Sequence, residues 1–176
     1  MLNLNLDDYI RKVPDFPKPG VLFYDITSLI TEPRLFGHCI DRMVELYKDR
    51  NIDAVAAIET RGFLFAAPFA LRLGIPMILI RKKGKLPGKT ISKKYDLEYN
   101  SAEIELQPVD VKPGWRVLLT DDLIATGGTL AAGKELLLEA GAQVPEIFGV
   151  VGLPFLKYDE KLAGTPITTL VNYSAE

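Results

Sequence analysis

The stretch that decides the fold is Val117-Leu118-Leu119-Thr120-Asp121-Asp122-Leu123-Ile124-Ala125-Thr126-Gly127-Gly128-Thr129-Leu130. The apolar run Val117-Leu118-Leu119 follows the turn Pro113-Gly114 and reads as a strand buried on both faces, as in a parallel sheet. Two adjacent carboxylates, Asp121 and Asp122, stand at its C-terminal end. The small, hydroxylated Ala125-Thr126-Gly127-Gly128-Thr129 follows. From Thr129 to Ala140 the apolar spacing turns helical (Leu130, Leu136, Leu137, Ala140), and Gly141 closes it. The order is strand, acid pair, glycine loop, helix.

Each part has a chemistry. Two glycines let backbone amides approach an anion with no Cβ in the way. The helix start adds uncapped N–H donors and the positive end of the dipole. Thr126 and Thr129 add hydroxyls. The two acids would repel a phosphate, so they must meet another part of the ligand. Sugar hydroxyls donate to carboxylates, and Mg²⁺ takes oxygen ligands directly or through water. A loop that grips phosphate beside a diol or a metal implies a ribose 5-phosphate. An ordinary tight turn would explain a lone Gly-Gly, but not two acids, two threonines and two glycines together. Gly128 to Lys134 imitates a P-loop, yet Glu135 stands where a Ser or Thr must hold Mg²⁺, and Gly133-Lys134 falls inside the helix. A P-loop nucleoside triphosphatase is excluded.

The chain has 176 residues, 48% of them hydrophobic and 25% charged, enough for one soluble domain with a core. A net charge of −2 without a basic tract argues against extended nucleic-acid binding. The single cysteine, Cys39, cannot form an internal disulfide and suits a reducing cytoplasm. No secretion signal is expected around Asp7 and Asp8. The best apolar run, Phe63 to Leu71, contains Pro68 and stops at Arg72, so no membrane span is expected.

Leu6, Tyr9, Ile10 and Val13 have helical spacing, with Asn5 as a possible cap, and Pro14 ends that helix. The proline-rich Pro14 to Gly20 is stiff and extended. Residues 21–27 read as a short strand. Thr31 and Pro33 open a helix with Phe36, Ile40, Met43, Val44 and Tyr47 on its apolar face. Cys39 is expected in the core, and the single His38 on the surface or at a cap. Ala54 to Ile58 is a second buried strand, followed by Glu59-Thr60-Arg61-Gly62 and a helix stopped by Gly74. A strand, then Arg-Gly, then a helix is a second anion site, with Arg61 as a charged donor. Residues 76–80 form a third strand. It runs into Arg81-Lys82-Lys83-Gly84-Lys85-Leu86-Pro87-Gly88-Lys89, five cations in nine residues. Such runs are usually solvated, but this one leaves a core strand where open sheets bind ligands. Residues 90–107 alternate as a hairpin or flap. Residues 144–153 are another strand, 155–162 a short helical turn and 167–171 a last β-rich run.

Strands alternating with helices predict an α/β fold with a mostly parallel central sheet flanked by helices. Three polar loops, 59–62, 81–89 and 121–129, should meet at one edge of that sheet. One would hold a 5-phosphate and ribose, and the two cationic ones a second polyanion.

D-D-L-I-A-T-G-G-T (121–129) resembles the phosphoribosyl pyrophosphate (PRPP) motif of type I phosphoribosyltransferases. PRPP carries a monophosphate at one end and a diphosphate at the other. F-P-K-P-G-V-L-F-Y-D-I-T (16–27) is similar to the segment that shapes the base pocket in adenine phosphoribosyltransferases. In that family the backbone at the Leu22 position meets the adenine edge. The Tyr24 position, often Arg in relatives, is Tyr here. E-T-R-G-F-L-F (59–65) and R-K-K-G-K-L-P-G (81–88) resemble the family's pyrophosphate segments. Ser92 followed by Leu97-Glu98-Tyr99 resembles its flexible catalytic loop.

The resemblance implies a single domain, 1–176, in which residues 1–30 contribute to a hood over the base and a flap closes the site. It implies a transferase of purine salvage, converting adenine and PRPP to AMP and pyrophosphate. Glu98 and Arg61 would be catalytic, and Leu22 and Tyr24 would bind the base. Asp121, Asp122, Ala125, Thr126, Gly127, Gly128 and Thr129 would hold the 5-phosphate and ribose. Arg61, Arg81, Lys82 and Lys85 would hold pyrophosphate. Mg²⁺ would come mainly with PRPP and water, with Asp121 and Asp122 open to it. A cytoplasmic homodimer is the expected assembly. A phosphoribosyltransferase for xanthine or orotate, or a PRPP-sensing regulator, are the alternatives. Residues 21–27 would discriminate the first, and salt-resistant nucleic-acid binding the second.

Overall fold

The computed structural model describes residues 4–96 and 101–174. In chain order its elements are β1 (Arg11–Pro14), β2 (Leu22–Asp25), α1 (Thr27–Ile30), α2 (Pro33–Tyr47), β3 (Ala54–Ile58), α3 (Gly62–Leu73), β4 (Met77–Lys82), β5 (Ile91–Asp96), β6 (Ser101–Leu106), β7 (Arg116–Ile124), α4 (Gly128–Glu139), β8 (Gln143–Gly152), α5 (Tyr158–Lys161) and β9 (Ile167–Asn172). Single 3-10 turns cover Leu6–Asp8, Pro108–Asp110 and Pro154–Leu156.

Seven strands form one sheet in the order β5-β6-β4-β3-β7-β8-β9. From β4 to β9 the neighbours run parallel. The β5–β6 hairpin joins β4 antiparallel at one edge. The mostly parallel sheet flanked by helices is the architecture expected from the sequence. Each face carries its own core. Val55 and Ala57 of β3 pack with α2 and α3, while Ala54, Ala56 and Ile58 pack with α4. That alternation is the period-two geometry of a strand covered on both sides. Cys39 is buried in the first core, as expected. Gly133 lies against Ile58 and Ile80 in the second, so it serves helix–sheet contact and not phosphate binding.

The N-terminal helix expected across Leu6 to Val13 does not form. Its first residues make the 3-10 turn, and β1 then pairs antiparallel with β2, Arg11 opposite Asp25 and Pro14 opposite Leu22. A helix of two turns is marginal on its own, and strand pairing replaces it. β1 and β2 form a sheet of their own. They fall within residues 1–30, the segment expected to form the hood. Tyr24 anchors this pair by stacking on Tyr173, centroids 3.8 Å apart, and Tyr173 in turn donates its hydroxyl proton to Asp7. The cap of α2 also differs: Glu32, not Thr31, accepts from the Arg34 N–H, with Pro33 in the first turn.

The β7–β8 contact is tight. A Cβ on Gly149 would lie 2.7 Å from Ile124 Cγ1 and 2.9 Å from Cδ1. Gly149→Ala should therefore overpack the second core and cost about 1–3 kcal/mol. At this chain length that lowers the melting midpoint by roughly 2–4 °C per kcal/mol, which thermal denaturation followed by circular dichroism would measure.

Candidate active site

β7 carries both acids into a cleft of about 410 Å³ at the C-terminal ends of β3, β4 and β7. Its lining includes Glu59, Thr60 and Arg61 after β3, Lys82 at the end of β4, and Asp121, Asp122, Ala125 and Thr129 around the start of α4. Tyr95 and Ile104 close one side from the hairpin. The convergence of three strand-end loops, expected from their spacing, is thus observed.

The loop between β7 and α4 is shaped by Gly127, whose φ of +76° favours glycine. No side chain caps α4. Its first N–H groups lack intrahelical partners and are open to an anion at the positive end of the helix dipole. Thr126 and Thr129 are half-buried beside them.

Asp122 is 5% exposed, and its Oδ2 accepts from Arg61 Nε at 2.6 Å. A buried carboxylate is thereby neutralised by an arginine that is itself half in solvent. Asp121 is half-buried, and its Oδ1 accepts from the Asp122 N–H at 2.8 Å. The same oxygen would lie 3.1 Å from a Cβ on Gly62, so only glycine lets α3 begin this close to β7. Burial, then the neighbouring Asp122 charge, raises the Asp121 carboxyl well above the usual aspartate range.

The cationic loop is folded by two carboxylates from neighbouring strands, Glu59 and Glu105. Glu59 Oε1 accepts from Arg81 Nη2 and Oε2 from the Lys82 N–H, both at 2.9 Å. The Arg81 bond, outweighing burial, keeps Glu59 below its ordinary value. Arg81 Nη1 also donates to the Lys85 carbonyl at 3.0 Å. Glu105, buried on β6, accepts from the Lys85 and Leu86 N–H groups.

A sequence profile of the phosphoribosyl transferase domain matches residues 26–153, most of the chain and all three loops. The chain belongs to the phosphoribosyltransferase family. It is 59% identical to the adenine phosphoribosyltransferase of Treponema denticola, over 97% of this chain and 90% of that protein. Among solved structures, the adenine phosphoribosyltransferase of Thermoanaerobacter pseudethanolicus superposes with a TM-score of 0.92 at 40% identity, covering 96% of this chain and 98% of that one. That of Saccharomyces cerevisiae, complexed with an imino-altritol 1,6-bisphosphate and adenine, gives 0.88 at 37% identity, over 94% and 96% of the two chains.

In this phosphoribosyltransferase the cleft gathers Arg61, Lys82, Asp121, Asp122, Ala125 and Thr129, with Thr126, Gly127 and Gly128 in the adjoining loop. Lys85 is exposed on the cationic loop and does not line the cleft. Arg81 does not line it either, because its guanidinium is committed to Glu59 and to the Lys85 carbonyl. Leu22 is half-buried in β2, and the Tyr24 ring is buried against Tyr173. Glu98 lies outside the described residues. Glu59 and Glu105 were readable only as two acids among many, since their partners are 15 or more residues away.

Because the folded state holds the Asp121 proton more tightly than the unfolded chain, stability is lost as pH rises from the ordinary aspartate value through the raised folded one. Asp121→Asn should therefore melt at a higher temperature than the parent at pH 7, keep the oxygen that accepts the Asp122 N–H, and lose most of its activity. The melting difference should shrink as pH falls toward 3. Melting curves at several pH values, with parallel turnover assays, check both halves.

Proposed function

We infer that this chain transfers the 5-phosphoribosyl group from PRPP to adenine, giving AMP and pyrophosphate in purine salvage. The observation that carries the reading is the uncapped start of α4 beside an acid pair, in one cleft with Arg61 and Lys82. A ligand with a phosphate at one end, a diol in the middle and a diphosphate at the other satisfies all three features. The relatives' activity on adenine, at 59% identity in the first case, supports the choice of base.

The residues then have these tasks. The N–H groups of Gly127 to Thr129, with the Thr126 and Thr129 hydroxyls, bind the 5-phosphate. Asp121 and Asp122 accept from the ribose hydroxyls and offset the positive charge that develops at C1. Arg61, oriented through Nε by Asp122, keeps its other donors for the leaving diphosphate. Lys82 and Lys85 add charge there. The β2 backbone at Leu22 reads the purine edge, and the packing of Tyr24 on Tyr173 supports that strand. Glu98 exchanges a proton with the purine, an assignment supported by the Leu97-Glu98-Tyr99 motif.

Two adjacent carboxylates, one already bonded to Arg61, form a hard-oxygen set too small to cage a metal, and the described residues offer no larger group. They suit Mg²⁺ that arrives with the diphosphate, Asp121 and Asp122 being the protein oxygens that would hold it, directly or through water. Bound there, Mg²⁺ supplies positive charge to the leaving group. A homodimer is part of the same reading. It is supported by Leu64 and Leu71, both exposed and two turns apart on α3. So is a cytoplasmic location, supported by the lone, buried Cys39.

Pyrophosphate release with PRPP and a panel of bases should be fastest with adenine, over xanthine and orotate. Adenine giving no more than a blank refutes the reading. Glu98→Ala should slow the single-turnover rate by roughly 10²–10⁴-fold while PRPP still binds. An unchanged rate would remove Glu98 from the chemistry.

A further inference from the structure

The loop that follows β4 places Arg81, Lys82, Lys83, Lys85 and Lys89 within nine residues. Like charges so crowded repel, and an unanchored loop would spread into solvent. Three carboxylates from other strands oppose this: Glu59 after β3, and Glu103 and Glu105 on β6. Glu105 is 2% exposed. Its Oε1 accepts from both the Lys85 and Leu86 N–H groups at 2.9 Å, and its Oε2 from the Thr90 hydroxyl at 3.1 Å.

The contacts divide four of these cations, Arg81, Lys82, Lys83 and Lys85, into two sets. Arg81 is held by Glu59. Lys83 Nζ lies 3.6 Å from Glu105 Oε2, and it donates to Ser92 Oγ, which itself donates to Glu103. Lys82 and Lys85 are treated differently. Carboxylates take their backbone N–H groups, while their exposed side chains make no ion pair among the described residues. The acids under this loop thus hold the backbone at Lys82 and Lys85, two positions whose ammonium groups make no ion pair among the described residues.

We propose that Glu105, together with Glu59, is a positioning residue for the diphosphate end of PRPP, acting through the backbone of Lys82, Lys85 and Leu86. The proposal rests on the reading that Lys82 and Lys85 bind diphosphate. An anchored backbone lowers the ordering cost of gripping a polyanion with two flexible lysines. Burial pushes the Glu105 carboxyl up, but the Leu86, Thr90 and Lys85 bonds and the Lys83 charge together outweigh it, so the group sits below the usual glutamate range. It therefore stays ionised, and an acceptor, at neutral pH.

Glu105→Gln tests this. It keeps one carbonyl acceptor but removes the charge and the second acceptor. KM for PRPP should rise about 10-fold and pyrophosphate binding by calorimetry should weaken in parallel, with KM for adenine unchanged within about 2-fold. Thr90→Val, which removes one bond and leaves the carboxylate, should move the same constants in the same direction by roughly 2–5-fold, and it keeps the test open if Glu105→Gln fails to fold. A merely structural role would lower the melting midpoint and the active fraction without separating the two substrates, and that result overturns the proposal. Lys82→Ala and Lys85→Ala distinguish the two levels. If they weaken pyrophosphate binding while Glu105→Gln and Thr90→Val do not, the positioning role fails and the lysine assignment stands. If the lysine variants leave pyrophosphate binding unchanged, the assignment fails and takes the positioning role with it.

Discussion

Two carboxylates set side by side at the end of a buried strand repel each other, and the site is arranged around that repulsion. Asp122 is relieved by Arg61, which leans across from the start of α3. Asp121 makes no ion pair among the described residues; it lies against Gly62 and accepts from the next backbone N–H. The absence of a Cβ at Gly62 is what lets the arginine-bearing turn stand close enough to serve the acid pair. Packing at one glycine therefore fixes the electrostatics of two strands. A stable fold would not choose this pair, and its location in a cleft is the expected place for charge that is retained for chemistry.

The same logic runs through the cationic loop. Its positive charge is divided: Arg81 and Lys83 are held by acids, and Lys82 and Lys85 are left outward. Counting cations along the sequence cannot make that distinction. It depends on which strands lie next to β4, and these are β3, joined parallel and followed by Glu59, and β6, joined antiparallel and carrying Glu103 and Glu105.

Much of the fold was legible because its signals are local. The apolar runs of β3, β4 and β7, each followed by a polar turn and, after β3 and β7, a helix, identify a parallel sheet and locate its ligand edge without any long-range information. The glycine loop at 125–128 was readable for the same reason. What was not legible depends on pairing across the chain. Helical spacing at Leu6, Ile10 and Val13 gave way to a strand because β2 is available to pair with. Tyr24 reads as a base-facing residue in its own segment, but its ring meets Tyr173 from the end of the last strand. Arg81 looks like one more anion ligand until Glu59 is seen beside it.

The β5–β6 hairpin is fastened at both ends of the site. At one end it meets the parallel core through Arg81 opposite Glu105 and Lys82 opposite Ile104. At the other, Lys93 of β5 pairs with Glu135 of α4. It is therefore a crossbeam resting on α4 and on the end of β4, two elements that border the cleft.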